Sequence, residues 1–187
     1  MDSVLPDSRH RPTGSCPNGT YAALPAIKAS PLLSSSAQAL LKHVIVYTDG
    51  SCSGNPGPGG WAAILQYGST EKEIAGAEAQ TTNNRMELRA AYEALASLKE
   101  PCKVTLHTDS NYLYKAFTDG WLANWQKNGW KNASKKPVEN KDLWEMLLEM
   151  DARHHVQWRK VKGHADDALN NRVDHLCVQV RKDKYGV

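Results

Sequence analysis

Two short runs of β-type residues, His43-Val44-Ile45-Val46-Tyr47-Thr48 and Val104-Thr105-Leu106-His107-Thr108, stand out along the chain, and each ends on an aspartate. After the first come a glycine-rich stretch, Gly50 to Gly60, and two further strand-like runs, Trp61 to Tyr67 and Lys72 to Ala79, which together predict a β-meander. The pattern then changes period. Leu88, Ala91, Tyr92, Leu95 and Leu98 form an apolar stripe at helical spacing, with Asn83 or Asn84 as the expected cap and Pro101 closing the segment. Beyond the second aspartate the sequence predicts a helix over Asn111 to Phe117, a stretch rich in Trp and Lys, and a helix from about Lys141 to Met150. Val156 to Val161 follows as a last strand. A final amphipathic helix carries Leu169, Val173, Leu176, Cys177 and Val180 on its apolar side. Three successive strands followed by alternating helices and strands imply an α/β fold with a mixed sheet flanked by helices.

Before His43 no sustained periodicity exists. Up to about Ser36 the sequence mixes five prolines with Ser, Gly and Asn, which predicts a disordered N-terminal extension over residues 1–42 and one domain over residues 43–187. A chain of 187 residues, 41% hydrophobic and 23% charged, is long enough for one good core. The extension holds two acids, Asp2 and Asp7, and four bases, Arg9, Arg11, Lys28 and Lys42, so it carries +2 of the net charge of +3. The domain is therefore nearly neutral, and affinity for a polyanion must come from local clusters of lysine. Cys16, Cys52, Cys102 and Cys177 are too scattered for a zinc pattern and too few for a disulfide framework. With no signal-peptide core and no apolar run of membrane-spanning length, the expected location is the cytoplasm; the Ser-, Ala- and Pro-rich extension leaves an organellar transit peptide as the alternative, with Asp2, Asp7 and the scarcity of arginine against it.

Four acids carry the chemistry. Asp49 and Asp109 close their strands, Glu87 lies in the first turn of a helix off its apolar stripe, and Asp174 is displaced from the apolar centre of the last helix. Were the two strands sheet neighbours, the aspartates would lie side by side, where like charges raise pKa values unless a cation neutralises them. Mg²⁺ suits such a place, because it prefers oxygen ligands and is commonly completed by substrate phosphates.

These acids sit inside longer strings: Tyr47-Thr48-Asp49-Gly50-Ser51, Thr81-Thr82-Asn83-Asn84-Arg85-Met86-Glu87-Leu88, Thr108-Asp109-Ser110, and Val161-Lys162-Gly163-His164-Ala165 with Asn170, Arg172 and Asp174 beyond. The ordered set closely resembles the ribonuclease HI family, whose members cut the RNA strand of an RNA–DNA hybrid. The resemblance covers nearly all of residues 43 to 182. It implies an RNase H-like fold, with a five-stranded sheet of three antiparallel strands and then parallel additions. It also implies two Mg²⁺ ions, replaceable by Mn²⁺, held by Asp49, Glu87, Asp109 and Asp174, and products with 5′-phosphate and 3′-hydroxyl ends.

By the same resemblance His164 assists turnover, moving protons or helping product leave. Asp166, Asp167 and Ala168 follow it where Gly, His and Pro are usual in bacterial members, and two extra acids there could shift the loop. The Gly50–Gly60 loop reads either as a tight turn or as small residues that let a polymer backbone come close, with Ser51, Cys52 and Asn55 available to touch it. Cys52, Asn55, Asn84 and Asn111 are expected to face the shallow groove of the hybrid, and Thr82, Ser110 and Asn124 its phosphates. Trp121, Trp125, Lys127, Lys131, Lys135 and Lys136 match the basic protrusion that grips the DNA strand. Gln126, Asn128 and Glu139 replace frequent basic positions, so the grip is expected to be weaker and its salt dependence shallower. The expected assembly is a monomer without membrane attachment. Two alternatives stay open: a non-catalytic hybrid-binding module, which would lack a metal carboxylate, and another nuclease or integrase on the same scaffold, which would lack the His164 loop and the Trp/Lys segment.

Overall fold

The structure, a computed structural model, describes residues 4–5, 41–162 and 167–187. Five strands, β1 (His43–Cys52), β2 (Gly57–Tyr67), β3 (Thr70–Thr81), β4 (Lys103–Thr108) and β5 (His155–Lys160), form one sheet in the order β3-β2-β1-β4-β5. The first three are antiparallel neighbours, whereas β4 joins β1 in parallel and β5 joins β4 in parallel. Among the described residues five helices accompany the sheet: α1 (Asn83–Ala96), α2 (Asn111–Thr118), α3 (Trp121–Lys127), α4 (Lys141–Arg153) and α5 (Ala168–Tyr185).

Strand alternation sorts the side chains into two layers. Val44, Val46, Ala63, Leu65, Val104 and Leu106 enter the larger core, which α1, α2 and α4 cover with Leu88, Leu95, Leu113, Trp144 and Leu147. Ala62 and Ile64 point the other way, onto Val173 and Cys177 of α5. Arg172 ties α5 to the sheet by ion pairs with Glu71 at 2.6 Å and with Glu73. The main departure from expectation lies between Gly50 and Gly60, expected as an open loop. Most of it is strand, with Gly50 paired to Trp61 and Cys52 to Gly59. Its glycines serve the fold itself. A Cβ on Gly50 would fall 2.3 Å from the Glu87 nitrogen of α1, and one on Gly60 would fall 2.1 Å from the Cys177 carbonyl of α5. Both helices reach the sheet only because these positions carry no side chain.

Local signals explain most boundaries. Helix α1 is capped one residue earlier than expected, by Thr82, whose hydroxyl accepts from the Arg85 N–H at 3.3 Å from an extended backbone. Ser110 caps α2 in the same way, and Asp167 caps α5 by accepting from Leu169 and Asn170. One of the two extra acids after His164 is thus a helix cap. Burial and then the Asp167 charge raise the pKa of the Tyr47 hydroxyl, and the Tyr47 ring stacks on His107 of β4 at 4.4 Å. Near the start of the chain, Val4 and Leu5 are 1% and 2% exposed within the larger core, and the Val4 carbonyl accepts from the Lys99 N–H at 3.3 Å. The sequence also offers a short patch, Ala37 to Leu41, able to dock on the domain; of it only Leu41 is among the described residues.

His154, where α4 meets β5, is 3% exposed, and its Nδ1 accepts from the Cys102 N–H at 3.2 Å. Burial, with Arg153 adding repulsion, holds its pKa down to about 4. A histidine depressed on folding contributes stability that is present above its unfolded pKa and is lost as pH falls through the folded one. Urea denaturation between pH 6.5 and pH 4 should therefore show a loss of up to about 3 kcal/mol from this residue, and His154→Gln should flatten that part of the profile. An unchanged slope in the variant would show that His154 does not govern it.

Candidate active site

The last pair of the β1–β4 ladder is Thr48 with Thr108, so Asp49 and Asp109 leave adjacent parallel strands side by side. Gly50 lets the first turn of α1 lie against β1, which delivers Glu87 to the same place. Oxygens of Asp49, Glu87 and Asp109 all lie within 4.8 Å of one another. Asp174 arrives from the opposite layer on α5, and it forms a second group of that size with Asp49 and Cys177. Asp49 belongs to both groups. The four acids predicted from sequence are thus brought together around it.

Burial makes this crowding costly. Glu87 is 5% exposed and Asp49 8% exposed, while Asp109 and Asp174 are half-buried. Loss of solvent, followed by the charge of Asp109, pushes Asp49 up to about 7 against the opposing Gly50 N–H, which donates to Oδ1 at 2.8 Å. Glu87 is held well above the usual carboxylate range by burial and then by Asp49 and Asp109, with Lys160 acting the other way. Glu87 Oε2 is buried and has no hydrogen-bond partner. Burial pushes the Cys177 thiol up, so it adds no charge; its sulfur lies 3.1 Å from the Asp174 carbonyl, 3.4 Å from Ser51 Oγ and 3.5 Å from Asp49 Oδ2. An oxygen-rich donor set with an unpartnered buried acceptor and unrelieved repulsion fits a hard divalent cation.

The small polar residues expected to touch substrate border the acids. Ser51 and Cys52 end β1, and Asn55 follows in the turn, where its Oδ1 accepts from the Asn83 N–H at 3.2 Å. Asn84 and Asn111 are exposed in the first turns of α1 and α2. The hydroxyls of Thr82 and Ser110, expected to hold phosphates, are already engaged as helix caps, and Ser110 is buried. The Cys52 thiol is likewise engaged, donating to the Gly57 and Thr81 carbonyls. Trp121, Asn124 and Trp125 lie on α3 and Lys127 at its end, beside α2. Trp121 and Trp125 are half-buried against the larger core, Trp125 standing 5.6 Å from the buried Trp144 ring. Lys127, Lys131, Lys135 and Lys136 are exposed. His164 and Asp166 lie outside the described residues.

Residues 41–182 match the model of the RNase H family. The chain belongs to that family. Ribonuclease H of Symbiobacterium thermophilum is 61% identical over 137 residues, which cover 73% of this chain and 93% of that protein. Ribonuclease H of Moorella thermoacetica is 60% identical over 137 residues, or 73% and 90% of the two chains. Among solved structures, LC9-RNase H1, a type 1 RNase H with the type 2 active-site motif, superposes with a TM-score of 0.69 at 34% identity, covering 76% of this chain and 74% of its own. LC11-RNase H1, solved in complex with an RNA/DNA hybrid, shares the fold at a TM-score of 0.59 and 20% identity over 75% and 98% of the two chains.

Beside these RNase H acids stand residues to which sequence reasoning gave no role. Lys160 ends β5 and donates to the Asp109 carbonyl. Arg181 donates to Ser51 Oγ at 2.9 Å. Arg85 binds Asp142 of α4 at 2.6 Å and so steadies the turn of α1 that carries Glu87. Cys177 and Arg181 follow Asp174 by three and seven residues, a helical spacing that places them on its face and was readable in advance. The partner of Arg85 depends on tertiary packing and was not.

Because the folded pKa of Asp49 is raised, its share of metal-free stability is fullest below about pH 4 and is lost as pH rises through about 7. In chelator at pH 8, Asp49→Asn should stabilise the protein by roughly 2–4 kcal/mol in urea denaturation, and the gain should fade toward pH 4. Marked destabilisation at pH 8 would instead make Asp49 a structural residue.

Proposed function

We propose that the chain is an endoribonuclease that hydrolyses the RNA strand of RNA–DNA hybrids, using divalent cations held by Asp49, Glu87, Asp109 and Asp174. The observation that carries this reading is the convergence of three carboxylates within 4.8 Å around a buried, unpartnered Glu87 oxygen. The names of the 60%-identical relatives support the same activity. Mg²⁺ is the proposed ion, two per site with substrate bound and Mn²⁺ able to substitute, and it would supply Lewis-acid stabilisation of the attacking water and the departing 3′-oxygen.

The chain's own residues do the rest. Asp49 and Asp109, fixed by the β1–β4 ladder, give the reacting phosphate a set position between strand ends. Asn55, Asn84 and Asn111 offer amides to 2′-hydroxyls and bases in the shallow groove, and Ser51 and Cys52 line the approach with small side chains. Of the three residues proposed for phosphates, Asn124 is exposed on α3, whereas Thr82 and Ser110 act through the helix N-termini that they cap. Lys127, Lys131, Lys135 and Lys136 meet phosphates of the DNA strand, with Trp121 and Trp125 packing on sugar. His164 exchanges the proton of the leaving group or helps product depart. The products carry 5′-phosphate and 3′-hydroxyl ends. The enzyme acts as a monomer in the cytoplasm, and among the described residues no helix is long and apolar enough to cross a membrane.

With each strand of a hybrid labelled in turn, Mg²⁺ or Mn²⁺ should give cleavage of the RNA strand only, chelator should stop it, and Asp49→Asn should lower it by at least about 10³-fold. RNA–RNA and DNA–DNA duplexes should stay intact. Cleavage of labelled DNA, or cleavage persisting in chelator, would reject the proposal.

A further inference from the structure

Lys160 is the last residue of β5 and pairs in register with Thr108, one residue before Asp109. Strand alternation puts it on the face of Val156 and Trp158, and Trp158 is held there by a stack on Phe117 at 4.0 Å and a hydrogen bond to Asp151. From that base the Lys160 ammonium reaches over the strand end and donates to the Asp109 backbone carbonyl. Lys160 is exposed, and among the described residues its ammonium forms no ion pair with a carboxylate. The carbonyl contact sets its charge beside Asp109, whose carboxylate oxygen lies within 4.8 Å of those of Asp49 and Glu87, and there it opposes the burial and the like charges that penalise Glu87.

We propose that Lys160 is a resident counter-charge of the carboxylate cluster, which lets the metal-free site tolerate its crowded acids and, by the same positive charge, weakens their hold on a divalent cation. The inference deepens the proposed function by assigning the control of metal occupancy to a residue outside the four acids. Two charges of like sign a few ångströms apart repel even across partly solvated space, and a dication feels twice the repulsion a proton would. Removing Lys160 therefore acts in opposite directions on the two states. The empty site becomes less stable, and the filled site becomes tighter. Lys160 is a positioning residue in this scheme, since it acts through Glu87 and Asp109 and needs no contact with substrate.

The test uses the whole chain without nucleic acid, titrated with Mn²⁺ and separately with Mg²⁺ in a calorimeter. Lys160→Met and Lys160→Gln should bind the ion roughly 3–10-fold more tightly than the parent chain, and Lys160→Arg, which keeps the charge, should stay within about twofold. In chelator the Met and Gln variants should melt at a lower temperature than the Arg variant, and the gap should close when the ion saturates. Lys182→Met, which removes an exposed charge in the last turn of α5, serves as the control for net charge and should leave affinity unchanged. Unaltered affinity in the Met and Gln variants, an Arg variant that behaves as they do, or an equal effect of Lys182→Met would overturn the proposal. These readouts are independent of cleavage: a chain that binds the ion as described but leaves hybrids intact would reject the function above and keep this inference.

Discussion

Because Thr48 pairs with Thr108, Asp49 and Asp109 leave neighbouring parallel strands side by side, and burial removes much of the water that would screen their repulsion. Most other features of the site answer that constraint. Glu87 sharpens it with a third acid from α1, whereas Cys177 sets an uncharged thiol beside Asp49 and Lys160 brings positive charge from the far edge of the ladder. None of these removes the conflict, and Glu87 Oε2 keeps an unsatisfied acceptor in the interior. A fold that maintains such a conflict does so at a functional place, because the energy involved would otherwise be recovered by any neutral substitution.

The second condition is steric. Two helices on opposite layers must come within backbone contact of the same strand pair for Glu87 and Asp174 to meet Asp49. Gly50 and Gly60 provide that contact on the two sides, with room for no Cβ at either. An alanine at Gly50 would push back the very turn that carries Glu87. The same residues that a sequence reader assigns to an open ligand loop are thus the hinge points of helix docking, and the small side chains left facing outward, Ser51, Cys52 and Asn55, occupy the narrow rim that remains.

The strands, helices and four acids were legible in the sequence because their periods are regular and their local strings long. The antiparallel meander follows from those strings, whereas the parallel additions came only with the family resemblance, and the adjacency of Asp49 and Asp109 was conditional on a strand pairing that the β1–β4 register supplies. What was not legible depends on the third dimension. The glycines could be read as serving either a ligand or the fold, and only the approach of α1 and α5 decides for the fold. Asp167 looked like a disturbance of the His164 loop and is the cap of α5. The hydroxyls of Thr82 and Ser110 looked free and serve their helices. Lys160 carried no motif at all, since its meaning comes from a register with β4 that no local pattern encodes.

Val4 and Leu5 have a topological consequence of their own. They are packed into the larger core beside Leu98, far along the chain from the first strand, so residues 6–40 run between two anchored points. While that connection is intact, rebinding of the anchor is intramolecular and its effective concentration is set by the length of the span. A single nick in the span would turn a covalent part of the core into a segment held only by its packing, whose retention would then depend on dilution.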